Sequence, residues 1–299
     1  MKNSLSKPFF TQKKLIVSVS VVLVCYVAVW AGVLISNKIN DDQFKNATKQ
    51  RTKDFNALKP EERAIRQAQA YIRENLPTFK PEQRLILDYL QRKFNLDDNL
   101  SASKSPINIY ENPVTYPDEI HFLARIAYPE KLVTTPPKSI VDGMNLTNIY
   151  GANCDHMTLP ANFWATMNQN YEAGGYYLTH NVLALSFMKD NSCTIPQTEA
   201  DLLSKTLDGM VKMMDDSNTN ADLRYEIIAF LGLSGRSDLI NGAWLEDVIS
   251  SQKEDSSWTD DQHPKETDHT TVLALWALLE YYHPNTPYEP LIHRPTQQP

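Results

Sequence analysis

Asp268-His269-Thr270-Thr271-Val272-Leu273-Ala274-Leu275-Trp276-Ala277-Leu278 is the third appearance of one pattern, met before as Leu178 to Met188 and Leu223 to Leu233. The interval is 45 residues each time, and the central Ala recurs as Ala184, Ala229 and Ala274. Val182-Leu183, Ile227-Ile228 and Val272-Leu273 precede it, and Leu185, Phe230 and Leu275 follow. Polar groups stand just before each apolar run: Thr179-His180-Asn181, Arg224-Tyr225-Glu226 and His269-Thr270-Thr271. A helix that is apolar almost all round is one buried on most sides. Recurrence at this length predicts helical pairs that bury their apolar faces only by stacking.

The segments between these copies are amphipathic. Leu202, Leu203, Leu207, Met210, Val211 and Met214 lie along one face of such a segment. Helices are therefore predicted near 160–171, 177–189, 196–214, 221–233, 239–251 and 268–282. Outer amphipathic members alternate with inner buried ones, as in an all-α layered ring or solenoid. Upstream, Pro60-Glu61-Glu62 opens a helix to about Asn75, and Pro81-Glu82-Gln83 opens one to about Phe94, each with Pro in its first turn. A further helix starts at Pro117-Asp118-Glu119. Residues 95–116 and 129–157 read as irregular, being rich in Asn, Asp, Ser and Pro or broken by Pro129, Pro136, Pro137 and Gly151.

Residues 15–36 are almost wholly apolar and uncharged, long enough to span a bilayer as a helix. Lys2, Lys7, Lys13 and Lys14 precede them, which predicts a cytoplasmic N-terminus (1–14) and everything beyond on the outer side, periplasmic or extracellular. A cleaved signal peptide is the alternative, but the stretch is longer than a usual signal core, and Trp30 and Ile35 are bulky. The organisation expected is a transmembrane anchor, a polar juxtamembrane stalk at 37–58, an α-helical domain at 59–283 with its repeats at 158–283, and a loose Pro-rich tail at 284–299. Cys25 falls inside the apolar stretch. Cys154 and Cys193 are free to pair in an oxidising compartment or to remain buried thiols.

The net charge of -7 gives no electrostatic support to nucleic-acid binding. Gly-rich phosphate loops, serine nucleophile elbows and a His-Glu-x-x-His pair are absent, and no cofactor is expected. Asn153-Cys154-Asp155-His156 gathers metal-type ligands, but Asp155 and His156 are adjacent and point apart on any regular element. The acidic turn with Asp260, Asp261, His263, Glu266 and Asp268 matches no calcium loop. No metal site is expected.

Val248-Ile249-Ser250-Ser251-Gln252-Lys253-Glu254-Asp255-Ser256-Ser257-Trp258 resembles the QW motif of the terpenoid-cyclase and protein-prenyltransferase type of α/α toroid. His269 to Leu278 looks like the inner helix that follows it, and Gly174-Gly175-Tyr176-Tyr177 onward is similar to a shorter second copy. The resemblance implies a toroid or partial toroid of helical hairpins. Ser256 stands where the motif has Gly, and neither the acid motif nor the zinc-ligand pattern of those enzymes is present. No catalytic residue carries over, since one fold hosts many chemistries.

In such a ring the inner helices run parallel and their N-terminal ends surround one mouth, where helix dipoles favour anions. The register brings His180, Tyr225 and Thr270 to similar heights, with Thr179, Arg224 and His269 one step earlier. His180, Tyr225 and His269 are the candidate acid–base groups, and Tyr177, Thr179, Asp222, Arg224, Glu226 and Thr270 the candidate ligand-binding ones. The same groups would also serve as helix caps. The function expected is ligand or partner binding at the mouth, with a protein or glycan as partner. The alternative is an enzyme on the same scaffold, a lyase or hydrolase of envelope polysaccharide.

Overall fold

The computed structural model describes residues 55, 57–96, 123–128, 132, 143–260, 262 and 264–292. The apolar stretch 15–36, nearly all of the stalk, and the start of the helix expected at Pro117 lie outside the described residues. Among the described residues there are nine α-helices and no strand: α1 Pro60–Asn75, α2 Pro81–Phe94, α3 Gly143–Asn153, α4 Phe163–Ala173, α5 Tyr176–Asp190, α6 Leu202–Met214, α7 Ala221–Leu233, α8 Gly242–Ser250 and α9 Thr267–Tyr282. No helix among them is long and apolar enough to cross a membrane. The fold is all-α.

Local chemistry sets several helix starts. Pro60 and Pro81 occupy first-turn positions, where a missing N–H costs nothing. The Asn220 side chain accepts from the Leu223 amide at 2.9 Å, and Asn241 accepts from the Ala243 amide at 3.0 Å. Each satisfies one of the orphan donors of a first turn.

The three repeat segments fall on α5, α7 and α9, and Ala184, Ala229 and Ala274 are all fully buried. Cross-helix contacts fix the direction of these helices. Thr270 donates to Asp222 near the start of α9 and α7, and Glu280 lies against Gly232 near their ends. Both pairs are 48 residues apart, so α7 and α9 run parallel. Tyr89 with Trp276 and Lys93 with Glu280 share a separation of 187, so α2 runs parallel to α9 as well. Tyr176 with Asp222 and His180 with Glu226 set α5 beside α7 in the same sense. Asn148 with His180 and Gly151 with Ala184 do so for α3 and α5. By contrast α1 runs against α9: Tyr71, near its end, donates to Asp268 at the α9 start at 2.9 Å. The parallel helices α2, α3, α5, α7 and α9 are thus the inner set, and α1, α4, α6 and α8 lie outside them.

Two glycines let inner helices approach closely. A Cβ on Gly151 would sit 2.8 Å from the Ala184 carbonyl oxygen, and one on Gly232 would sit 2.4 Å from the Glu280 Cβ. Glu280 fits over Gly232 and is itself buried, accepting from Lys93 Nζ at 2.7 Å and from the Trp276 indole N–H at 2.9 Å. A paired, hydrogen-bonded carboxylate is the form in which a buried charge is tolerated.

Two expectations about the fold need correction. Residues 143–153, expected to be irregular, form α3. Its Gly, Asn and β-branched residues are poor helix formers. The helix is held instead by burial from Thr147 to Asn153 and by its close seat on α5. The tail is not loose between 284 and 292: Leu291 and Ile292 are buried, Asp190 accepts from the Leu291 amide at 2.7 Å, and Arg92 donates to the Pro290 and Leu291 carbonyls. Residues 293–299 lie outside the described residues. The open question of the cysteines is answered by a Cys154–Cys193 disulfide, Cα–Cα 6.1 Å, which ties the end of α3 to the end of α5. Beside it the fully buried Arg125 donates to both Asp155 carboxylate oxygens and to the Ala152 carbonyl. Burial pushes the Asp155 carboxyl up, but the bonds from Arg125 and His156 prevail and hold it below its usual range.

The Gln252 to Trp258 turn shows why Gly would suit position 256: Ser256 has φ +73°, in the left-handed region. Gln252 donates to the carbonyls of Ala64 in α1 and Ser256, both at 3.1 Å, and the buried Trp258 donates its indole N–H to Val248 at 2.7 Å. The turn therefore bolts α8 to α1.

Gly232→Ala is expected to force α7 and α9 apart and lower unfolding free energy by about 1–3 kcal/mol, read by urea denaturation of the full chain. Replacing Cys154 and Cys193 with Ser opens a loop spanning 39 residues of sequence. The chain-entropy relation puts that loss at about 4 kcal/mol, and a loss near zero would show that the bridge adds nothing.

Candidate functional site

The inner helices enclose one cavity of about 250 Å³. Its walls are apolar: Leu85, Ile86 and Tyr89 from α2, Leu183 and Phe187 from α5, Phe230 from α7, Leu273 and Trp276 from α9, with Leu123, Ile126 and Leu291 closing gaps. The polar members stand toward the helix N-terminal ends: Glu82 on α2, Asn145 and Asn148 on α3, His180 on α5, Glu226 on α7 and His269 on α9. None of the described lining residues is Lys or Arg.

Glu226 is 4 % exposed. Burial raises its carboxyl to about 8; contact with Thr179 pulls it down and the neighbouring Asp222 pushes it further up. His180 Nε2 lies 3.8 Å from Glu226 Oε1, and His180 Nδ1 lies 2.5 Å from Asn148 Nδ2. Asn148 is 3 % exposed, and its Oδ1 is buried without a hydrogen-bond partner. Behind the wall Asp222, 5 % exposed, accepts from Thr270 Oγ1 at 2.7 Å and from the Tyr176 hydroxyl at 3.0 Å. His269 Nε2 lies 3.8 Å from Asp222 Oδ2. One oxygen each from Asp222 and Glu226 and one nitrogen of His269 fall within 4.8 Å of one another. Burial and the Asp222 charge raise the Tyr176 hydroxyl, which holds it as a neutral donor.

Of the residues singled out in the sequence, His180, Glu226 and His269 meet at the cavity, with Asp222, Thr179 and Thr270 packed against them. Thr179 is buried and donates to the Tyr176 carbonyl at 2.8 Å. Tyr225 and Arg224 are not there. The Tyr225 hydroxyl pairs with Ser251 Oγ at 2.8 Å, and Arg224 donates to the Met214 carbonyl at 2.9 Å. Both line a groove facing α6 and α8, on the far side of α7. Tyr177 is half-buried and is not part of the wall; its neighbour Tyr176 makes the contact with Asp222.

The physical reason is rotational. Each residue turns about 100° around a helix axis, so an equal sequence interval fixes height without fixing which side chain faces inward. The cavity takes position 180 from α5, but its counterpart plus one from α7 (Glu226) and minus one from α9 (His269). Nothing in the sequence pattern marks Asn148, Asn145 or Glu82 as site residues. The first two lie on a helix with no periodic signal, and Glu82 stands at an ordinary first-turn position.

No family model, curated protein or solved structure matches the chain.

Thr270→Val leaves one oxygen of a buried carboxylate without its donor. The expected loss is about 1.5–3 kcal/mol of stability. Tyr176→Phe should cost a similar amount, and the double variant should depart from additivity because both act on one carboxylate. Strict additivity in denaturation experiments would show that the two bonds are energetically separate.

Proposed function

We propose that this chain is a membrane-anchored extracytoplasmic protein whose parallel inner helices form the barrel of an α/α toroid, and that its cavity binds a small amphiphile. The observation that carries the reading is the cavity itself, apolar over most of its wall and polar at one end. A well-formed apolar pocket with a few convergent polar groups is the default candidate for a ligand site. Its volume is below the about 300–1,000 Å³ that holds a drug-sized molecule, so the occupant is small. The wall carries Glu82 and Glu226 but no Lys or Arg, so the occupant's polar end is a hydrogen-bond donor or a cation, such as a primary amine or an alcohol.

The toroid reading draws on the alternation of outer and inner helices, on the tie from Gln252 to α1, and on Trp258 filling its turn. The anchor reading draws on the apolar stretch 15–36, its preceding lysines, and a disulfide that suits an oxidising compartment. Binding of a protein or glycan partner stays a lesser proposal. The apolar walls suit a hydrocarbon body better than a sugar chain.

A second reading, an enzyme on the same scaffold, is favoured by the contact of His180 with the buried Glu226, an arrangement able to shuttle a proton. A polysaccharide lyase or hydrolase would need the polar groups in a groove able to admit a chain. Here they cap an apolar pocket, so a small substrate fits the enzyme reading better.

Calorimetric titration of the full-length chain with n-octylamine is expected to show one saturable site. Octanoate should bind at least about tenfold more weakly, the order expected of one charge mismatch in a low-dielectric site. Leu183→Trp, which fills the cavity, should abolish the site. Binding that survives Leu183→Trp, or no saturable binding of either probe to the folded chain, would overturn the proposal.

A further inference from the structure

We infer that the polar end of the cavity is a site for one divalent transition ion of the zinc or iron(II) class, held by Asp222, Glu226 and His269 with His180 as a fourth donor. The inference rests on reading this cavity as a ligand site and departs from the expectation, drawn from the sequence, of no metal site. The ligands come from three helices: Asp222 and Glu226 lie one turn apart on α7, His269 faces them from α9 and His180 from α5.

The geometry is close to that of a bound ion. Metal–ligand distances of about 2.0–2.2 Å put tetrahedral donors about 3.4 Å apart. Here His269 Nε2 is 3.8 Å from Asp222 Oδ2, His180 Nε2 is 3.8 Å from Glu226 Oε1, and the set Asp222, Glu226 and His269 closes within 4.8 Å. Side-chain rotation must draw these three closer together, and His180, which stands outside that set, must move in to join them. Clusters of exposed acids are common without ions, but these two carboxylates are buried, and the cavity wall that includes Glu226 carries no Lys or Arg. Two acids placed side by side away from water either hold a proton or take a cation. Mixed imidazole and carboxylate donors select zinc or iron(II) over magnesium or calcium, which prefer oxygen alone.

A second observation points the same way. Asn148, 97 % buried by its 3 % exposure, lines the cavity and has an amide oxygen with no partner, while its amide nitrogen meets His180 Nδ1. With the amide turned over, Oδ1 accepts from His180 Nδ1–H. That pairs the oxygen, moves the amide nitrogen to where the oxygen stood, and selects the His180 tautomer whose Nε2 lone pair faces Glu226. Metal-bound imidazoles are oriented this way by a partner on the other ring nitrogen. Asn148 is then a positioning residue. Thr270 and Tyr176 play the same part for Asp222.

The test is calorimetric titration of the chelator-treated full-length chain with zinc chloride, with magnesium chloride as control, followed by cobalt(II) absorption spectroscopy. One zinc per chain is expected, with no magnesium response and an intense visible cobalt band of a low-symmetry nitrogen–oxygen site. Glu226→Gln keeps shape and hydrogen bonding, and His269→Ala removes a half-buried ring; each should weaken zinc at least about 100-fold, while Asn148→Ala should weaken it about tenfold to 100-fold. Circular dichroism reports whether each variant folds, and if Glu226→Gln does not, His269→Ala carries the test. Absence of zinc binding, or zinc binding unchanged by these substitutions, overturns the inference. If zinc fails while n-octylamine still binds, the metal site alone falls; if both fail, the ligand-site reading falls with it. Zinc loading should also weaken octylamine binding, because the ion's two positive charges offset the two carboxylates that the amine would face.

Discussion

A helix with no exposed side can exist only if neighbours surround it, and α9 has none from Thr270 to Glu280. Val272, Leu273, Leu275, Trp276, Leu278 and Leu279 are all buried there. At about 1.5–3 kcal/mol for each large apolar side chain, their gross contribution rivals the about 5–15 kcal/mol net stability of a whole domain. The packing of α1, α2, α7 and α8 onto α9 follows from that requirement. So does the use of polar groups as end bolts. Asp222 binds Thr270 at the N-terminal end, and Glu280, seated on Gly232, binds Lys93 and Trp276 at the other. Buried polar groups left without partners would cost more than the apolar contacts beside them return.

What was readable in the sequence follows the same logic. Continuous apolar runs expose a buried helix to inspection, so α5, α7 and α9 and their shared interval stood out. The helix α3 is equally buried but is built from Asn, Thr and Gly, so its helicity comes from tertiary contact and leaves no periodic trace. The tail from 284 to 292 carries only two buried apolar side chains, Leu291 and Ile292, and its docking depends on Asp190 and Arg92 far away in sequence. Pro-rich composition there spoke for the lack of secondary structure, not for the lack of contact.

The site was half legible for a related reason. Polar residues just before buried runs announce that something is satisfied or bound at the helix starts, and His180, Glu226 and His269 were among them. Which neighbour faces inward depends on how each helix is rotated, and loops of unequal length between the copies set that rotation independently. Tyr225 and Arg224 therefore turned to the outer helices, where Ser251 and the Met214 carbonyl occupy them. The partner that most constrains His180, Asn148, belongs to the helix that the sequence concealed.

Parallel packing also fixes the electrostatics of the cavity. Five inner helices bring their N-terminal ends to one side, where the exposed amide groups amount to about half a positive charge each. That field helps the protein keep Asp222 and Glu226 buried without a Lys or Arg beside them. It does not neutralise both: Asp222 holds two donors, Thr270 and Tyr176, whereas Glu226 is pushed up to about 8 by burial and by Asp222 itself. Asp222 with two donors thus stands beside Glu226, which has the Thr179 hydroxyl against it and is the less stabilised anion of the two. Elsewhere carboxylates carry a cation: Glu280 has Lys93, with the Trp276 indole beside it, and Asp155 has Arg125, with His156 beside it. The proposed ligand reading draws on this contrast: a polar end built from acids and imidazoles suits a cation or a hydrogen-bond donor.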